Sequence, residues 1–213
     1  MTETEIRQQV VLTIAGWRWL KSYDQSHKPI IDLYNSYLPH PRGYQMTLKA
    51  DWCAATVSAV AIQLGLTDIM PVECSCGEMI KLYQQLGRWV EDDAYTPQIG
   101  DVIFYAWKDS GKGDNTLPPN HVGIVTGVNG TSLTVTEGNM GAGIVGERYL
   151  QVDGRYIRGY GIPDYASKAA KDPWYAKDWA RATEMGLVDG TRPEDHLTRA
   201  EAVTIILRAI EAR

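Results

Sequence analysis

The chain has 213 residues, of which 44% are hydrophobic and 22% charged, and its formal net charge is -5. These ordinary globular values exclude a mainly disordered or fibrous chain, and the charge predicts no binding to nucleic acid or an anionic membrane. No run of about 18 apolar residues occurs, so no membrane span is predicted. The acidic residues near the start predict no secretion signal.

Apolar residues at helical spacing predict four helices in the first half of the chain. They cover residues 6–17, 30–38, 53–65 and 79–86. Gly65 is a typical C-terminal stop, and Cys53 lies in the first turn of the third helix.

From about residue 99 the sequence changes to β-branched and aromatic runs separated by Gly, Asn and Asp, which predicts strands. The predicted strands cover residues 99–107, 121–128, 131–137, 145–152 and 156–162. Asn129-Gly130 and Asp153-Gly154 are predicted hairpin turns. Helices followed by antiparallel strands indicate an α+β fold.

The composition after residue 165 predicts a second, smaller unit. We expect a first domain over residues 1–165, a linker over 166–171 and a helix-loop-helix unit over 172–213. Asp172-Pro173 predicts a helix start, and Thr198 to Glu201 has the spacing of a capping box. Because two helices bury little surface alone, this unit is expected to self-associate or to dock on the first domain.

The three cysteines, Cys53, Cys74 and Cys76, do not form a disulfide framework, since their number is odd and two of them are nearly adjacent. The four histidines show no zinc-ligand spacing with them. A reactive thiol is therefore expected to act by itself. At a helix N-terminus the pKa of a thiol falls, which favours Cys53 as a nucleophile, although a lone cysteine is more often a core residue.

The hairpin around Asn129-Gly130 predicts a base for that thiol. A three-residue loop over residues 128–130 sets His121 directly opposite Glu137, whereas a two-residue loop puts Glu137 on the other face of the sheet. The longer loop is favoured because it gathers apolar residues on one buried face, namely Val125, Leu133 and Val135. Asn139 returns to the face of Glu137, so either residue can orient the His121 imidazole.

Four segments occur in the order found in the CHAP family of cell-wall hydrolases, which the chain therefore resembles. They are residues 51–58 (DWCAATVS), 97–105 (PQIGDVIFY), 120–125 (NHVGIV) and 136–140 (TEGNM). The resemblance covers about residues 40–163 and is greatest to CHAP enzymes of clostridial phages and prophages. It implies a papain-like α+β fold, related to NlpC/P60 hydrolases, and cleavage of amide bonds in peptidoglycan.

Carried over to this sequence, the resemblance implies that Cys53 is the nucleophile, His121 the general base, and Glu137 and Asn139 the orienting residues. Many CHAP sequences have Gln directly before the cysteine, where this chain has Trp52, so the second oxyanion donor stays open. Substrate contacts are expected from residues of the cleft, namely Tyr44, Trp52, Trp107 and Asn120.

Some CHAP domains bind calcium through clustered acidic residues. Here Asp109, Asp114 and Asn115 lie in a Gly-rich loop, but the loop lacks EF-hand spacing. We expect neither a metal nor another cofactor.

The C-terminal unit resembles a single S-layer homology (SLH) module, over residues 174–188 and 197–201. Such modules hold proteins on secondary cell-wall polymers, so the resemblance implies wall contacts from Trp174, Trp179 and Arg199.

The sequence thus predicts a peptidoglycan hydrolase acting through a Cys53 thioester, either an N-acetylmuramoyl-L-alanine amidase or an endopeptidase. Its expected partners are peptidoglycan, a secondary cell-wall polymer and a second copy of the chain. It is expected to be made in the cytoplasm and to reach the wall at phage lysis or by non-classical export. The alternative is a catalytically silent wall-binding or assembly protein, against which the presence of Cys53, His121 and Glu137 argues.

Overall fold

The computed structural model describes residues 1–111, 113–169, 176–188, 191 and 198–211. The chain divides into two units, residues 1–169 and residues 170–213. Within the described residues, no helix is long and apolar enough to cross a membrane.

Helices form the first half of the first unit. They are α1 (Glu3–Gly16), α2 (Lys28–Ser36), a 3-10 turn (Pro41–Gly43), α3 (Cys53–Leu64) and α4 (Cys76–Gln85). A capping box between Thr2 and Glu5 begins α1, because each side chain accepts a hydrogen bond from the other residue's backbone N–H. Gly65 ends α3 in the left-handed conformation, with φ 66°, which glycine adopts without strain.

One antiparallel sheet follows, in the order β1-β6-β2-β3-β4-β5. Its strands are β1 (Trp89–Val90), β2 (Val102–Tyr105), β3 (His121–Asn129), β4 (Ser132–Met140), β5 (Ile144–Gln151) and β6 (Ile157–Gly161). The predicted α+β class is confirmed. β1 was not predicted because two residues are too short to show an alternating pattern.

The predicted hairpin turn at Asp153-Gly154 is wrong. β5 pairs with β4, whereas β6 pairs with β1 and β2, so the two consecutive strands are not neighbours in the sheet. The turn residues are as expected, and Asp153 has a positive φ of 63°. A turn signal reverses the chain locally, but hydrogen bonding to distant strands decides where the next strand goes.

α3 is the central helix of the first unit. Residues 53–61 are all buried, which the unbroken run of small and apolar side chains permits. The helix packs with α1 on the sheet face that carries Val102, Phe104, Val122 and Ile124. The other face carries a second apolar cluster, which includes Tyr105, Val125 and Val135. Both faces of the central strands are therefore buried.

Close packing of α3 on β4 depends on Gly138. A Cβ atom there would lie 1.9 Å from Thr56 Oγ1, so only glycine allows this approach. The contact holds the N-terminal turns of α3 against the strand that carries Glu137.

A buried ion pair joins α1 to the loop before β2. Arg7 Nη1 lies 2.9 Å from Asp101 Oδ1, and Asp101 also accepts the Gln98 N–H at 2.9 Å. Nearby, the Tyr165 hydroxyl donates to the Gly100 carbonyl at 2.7 Å, which anchors α5 (Tyr165–Lys168) in the first unit. Residues 166–168, expected in a linker, therefore belong to a helix of that unit.

The second unit contains α6 (Ala176–Glu184) and α7 (Arg199–Glu211). The predicted capping box is confirmed, since the Thr198 N–H donates to Glu201 at 2.9 Å and the Glu201 N–H donates to Thr198 at 3.2 Å. Trp179 lies in α6, and Arg199 is exposed as the first residue of α7. Trp174 and the Asp172-Pro173 helix start lie outside the described residues.

Candidate active site

Cys53 is the first residue of α3, as predicted, and its thiol is buried with the residue 6% exposed. The N-terminal N–H groups of a helix favour a negative charge at this position. The Ala54 N–H contributes to this stabilisation of the thiolate.

A second thiol lies beside it. The Sγ atoms of Cys53 and Cys76 are 3.8 Å apart, and Cys76 is the first residue of α4. The hydrogen bond from Cys76 has the largest effect on the pKa of Cys53; burial opposes it and the His121 imidazole assists it. The resulting pKa of Cys53 is about 5. Folding thus brings together two free cysteines that lie 23 positions apart, which the sequence did not predict.

His121 is the first residue of β3, and its Nε2 lies 3.0 Å from Glu137 Oε2. Because Glu137 occupies Nε2, Nδ1 is the nitrogen available to exchange a proton with Cys53. The imidazole and the thiol are close enough to shift each other's pKa through a hydrogen bond. The structure thus brings together the three side chains for which the sequence predicted a nucleophile, a base and an orienting carboxylate.

The predicted hairpin register is nevertheless wrong. Asn129 pairs with Ser132, so the loop has two residues, and Thr126 is an extra residue in β3 between the pairs Gly127–Thr134 and Val125–Val135. A two-residue loop alone would turn Glu137 away from His121. The bulge at Thr126 shifts the register by one residue and restores Glu137 to the face of His121.

Continuing this register sets Gly123, rather than His121, across from Glu137. A Cβ on Gly123 would lie 2.7 Å from Glu137 Cγ, so the missing side chain makes the room in which the carboxylate reaches His121. On the other side of β4, Glu137 pairs with Gly146 of β5. Glu137 therefore lies between two glycines, and both of its carboxylate oxygens are available to neighbours further along the strands.

Arg148 is the neighbour on β5, two residues beyond Gly146 and on the same face. Its Nε and Nη2 donate to Glu137 Oε1 and Oε2 at 2.7 and 2.9 Å. This bidentate pairing fixes the plane of a carboxylate whose side chain is 0% exposed. Arg148 was not predicted as a site residue, because only the pairing of β4 with β5 places it beside Glu137.

Aromatic rings cover the relay that Arg148, Glu137 and His121 form through their hydrogen bonds. Tyr105 stacks on Trp107, with ring centroids 4.7 Å apart, and on His121 at 5.9 Å. The Arg148 guanidinium lies over the Trp107 ring at 4.8 Å. Trp107 is 36% exposed, so it offers an aromatic surface next to the imidazole.

The charges at the site follow from these contacts. Burial alone would lower the pKa of His121, but the hydrogen bonds to Cys53 and Glu137 outweigh burial and raise this pKa to about 9. Burial would likewise raise the pKa of Glu137, yet His121 and Arg148 hold it below its usual value. At neutral pH the site therefore contains a Cys53 thiolate, a His121 imidazolium and a Glu137 carboxylate.

Two predicted site residues have other contacts. The Asn139 amide donates to Asp51 Oδ1 at 3.0 Å instead of reaching the imidazole, because the β4–β5 pairing is irregular here and Asn139 has a positive φ of 55°. Asn139 thus contacts the residue two positions before Cys53. Trp52 is only 1% exposed and packs against His27 with ring centroids 5.0 Å apart, so it does not line an open cleft.

The other predicted substrate contacts are at the surface. Asn120 is exposed beside Trp107, and its Oδ1 accepts a hydrogen bond from the Trp107 backbone N–H at 3.2 Å. Tyr44 is 44% exposed and directly follows the 3-10 turn.

The polar side chains of the loop before β3 have two different sets of contacts. Asp109 accepts the Gly111 N–H, and Asn115 donates to the Ala106 carbonyl at 3.2 Å, so both side chains hold the loop together. Asp114 instead joins Asp92 and Asp93, with carboxylate oxygens within 4.8 Å of one another. This is the group of described residues that could receive a cation; Asp92 and Asp114 are exposed, and Asp93 is half-buried.

Comparison with protein-family models gives a match over part of the chain. Residues 43–139 match the family model of the CHAP domain, a segment that contains Cys53, His121 and Glu137. No curated protein and no solved structure matches the chain. The CHAP match supports a hydrolase of that family and indicates, in general terms, amidase or peptidase activity of the peptidoglycan hydrolase type.

Proposed function

We propose that the CHAP domain of this protein cleaves an amide bond of the peptidoglycan stem peptide by nucleophilic attack of Cys53. The observation that carries the proposal is the buried relay in which Arg148 holds Glu137 and Glu137 holds His121 at 3.0 Å, beside a thiol with a pKa of about 5. A side chain that is already ionised needs no separate step to become a nucleophile.

In the first half of the reaction, Cys53 Sγ attacks the carbonyl carbon of the scissile amide, and the carbonyl electrons move to its oxygen. The Cys53 backbone N–H, at the N-terminus of α3, is positioned to stabilise this oxyanion. The His121 imidazolium then donates its proton to the leaving nitrogen. The C–N bond breaks, the amine departs, and the acyl group remains on Cys53 as a thioester.

In the second half, neutral His121 accepts a proton from water while the water oxygen attacks the thioester carbonyl. The C–S bond breaks, and the product leaves as a carboxylic acid. The thiolate and the imidazolium are thereby restored. Glu137 stabilises the imidazolium formed in this step, and Arg148 keeps Glu137 ionised at its position.

The bond cleaved is either the link between N-acetylmuramic acid and L-alanine or a peptide bond within the stem or cross-bridge. Trp107 and Asn120 are proposed to contact the substrate because they are exposed beside His121. The second unit is proposed to act as an SLH-like module for a secondary cell-wall polymer or for self-association. The protein is proposed to reach the wall at phage lysis or by non-classical export.

The decisive experiment incubates purified peptidoglycan with the wild type, Cys53→Ala and Cys74→Ala, and identifies new amino termini by mass spectrometry. Cys74→Ala is the matched control, because this half-buried thiol lies near Arg42 rather than His121. We expect new amino termini to appear with the wild type and with the control but not with Cys53→Ala. New L-alanine amines identify an amidase, and soluble muropeptides with intact lactyl-alanine links identify an endopeptidase.

A catalytically silent wall-binding protein is the alternative. It predicts wall binding that is unchanged by Cys53→Ala and no new termini from any wall that the folded wild type binds. That result would refute the proposed hydrolase.

A further inference from the structure

The N-termini of two helices lie next to each other in the first unit. Cys53 is the first residue of α3 and Cys76 the first residue of α4, and their Sγ atoms are 3.8 Å apart. Both residues are buried, with 6% and 8% of their surfaces exposed. This distance permits an S–H···S hydrogen bond, in which by distance alone either sulfur could be the donor.

The thiol pair can hold only one negative charge. Two thiolates at 3.8 Å in a buried site would repel each other strongly, so one sulfur must keep its proton. The groups that face the pair decide which one. The His121 imidazole, backed by Glu137, lies beside Cys53, whereas the carboxylate of Asp51 disfavours a charge on Cys76. The proton therefore stays on Cys76, whose pKa is raised well above its usual value by Cys53 and burial.

We propose that Cys76 is a positioning residue of the active site, which donates its S–H to the Cys53 thiolate and keeps that thiolate ionised and oriented in acidic surroundings. This proposal rests on the proposed function of Cys53 as a nucleophile. Cys76 does not contact the substrate, and it forms no covalent bond in the reaction.

The proposal predicts a particular kinetic pattern. A hydrogen bond that stabilises the thiolate increases its population at low pH, but it also makes the sulfur less nucleophilic. Loss of the Cys76 donor should therefore move the acidic limb of the activity profile to higher pH and leave the plateau rate equal to, or slightly above, that of the wild type. A purely structural role would lower the rate equally at every pH.

The test measures alkylation of Cys53 by iodoacetamide from about pH 4 to about pH 9, using mass spectrometry of the peptide that contains Cys53. The variants are Cys76→Ala, Cys76→Ser, which retains a hydroxyl donor, and the control Cys74→Ala. With each rate divided by its own plateau, we expect the Cys76→Ala rate at about pH 5 to fall roughly tenfold. Cys76→Ser should keep at least half of the wild-type rate, and Cys74→Ala should match the wild type.

This readout needs no cell wall, so it fails or succeeds independently of the proposed hydrolysis. Equal profiles for Cys76→Ala and the wild type would overturn the role of Cys76, as would equal shifts in the Ala and Ser variants. A reciprocal measurement covers a variant that fails to fold. In Cys53→Ala the charge facing Cys76 is gone, so alkylation of Cys76 at about pH 8 should increase several-fold, and no increase would also overturn the proposal.

Discussion

Substitution of Gly123 by alanine tests whether the space opposite Glu137 is needed for the relay. Gly123 has no strained backbone angle, so alanine is tolerated by the main chain. Its Cβ, however, would lie 2.7 Å from both Glu137 Cγ and Val135 Cγ1, and 3.0 Å from the Thr136 carbonyl. The carbonyl belongs to the β4 backbone and cannot yield easily, so the Glu137 side chain must move.

The size of the effect follows from these distances. Relief of a 2.7 Å contact requires a displacement of about 1 Å, which lengthens the 3.0 Å bond between Glu137 and His121 beyond hydrogen-bonding range. A hydrogen bond to a charged group contributes about 1.5–3 kcal/mol, so kcat/KM should fall roughly 10- to 100-fold. The added methyl group should cost about 1–3 kcal/mol of stability.

The assay compares release of muropeptides by Gly123→Ala with release by Gly127→Ala, and thermal unfolding monitors the fold of both. Gly127 is the matched control because it lies in the same strand, and its Cβ would meet only Thr134 atoms, at 3.2 and 3.3 Å. We expect near wild-type activity from Gly127→Ala. A folded Gly123→Ala variant with wild-type kcat/KM would refute the role given to the space beside Glu137.

Three further outcomes are expected. Arg148→Gln should lower kcat/KM at least about tenfold, because the Glu137 carboxylate then loses the bidentate pairing that fixes its plane toward His121; wild-type kcat/KM in a folded variant contradicts this. The activity of the wild type should be constant between about pH 5 and about pH 9. Below this range the Cys53 thiolate is protonated, and above it the His121 imidazolium loses its proton. A profile with a single limb near neutral pH would contradict this. A chain of residues 1–169 should unfold cooperatively and still cleave soluble peptidoglycan fragments, and light scattering against the full chain will show whether the remainder causes self-association.

Much of the site could be read from local pattern. Cys53 at a helix start, and an alternating strand beginning with His121, both depend on spacing within one segment, and the structure has both. The pairing of His121 with Glu137 was also expected, but from an incorrect register. Relative to the predicted register, the observed loop shifts the pairing by three residues and the bulge at Thr126 reverses one of them. The net shift of two residues keeps Glu137 on the same face as His121.

Arg148 and Cys76 show what could not be read. Each is brought to the site by an element distant in sequence: β5 pairs with β4, and the N-terminus of α4 meets that of α3. Neither residue has a local signature, because Arg-Tyr in a strand and Cys-Ser-Cys in a loop are compatible with many environments. Asn139 shows the opposite case. Alternation along the strand predicted that it lies on the face of Glu137, but its backbone has a positive φ of 55° and its side chain contacts Asp51 instead.

The sequence by itself determined the α+β class, the position of Cys53, the proposed nucleophile, at a helix N-terminus, and the position of His121, its proposed base, at a strand start, because helical and strand periodicity act over a few residues. Only the tertiary structure decided the ionisation of that nucleophile. A thiolate with a pKa of about 5 requires Cys76, His121 and, through His121, the Glu137–Arg148 pair, and their electrostatic effects depend on distances of a few ångströms set by packing. Cys53 is therefore recognisable as a candidate nucleophile in the sequence, but the contacts that lower its pKa exist only in the folded chain.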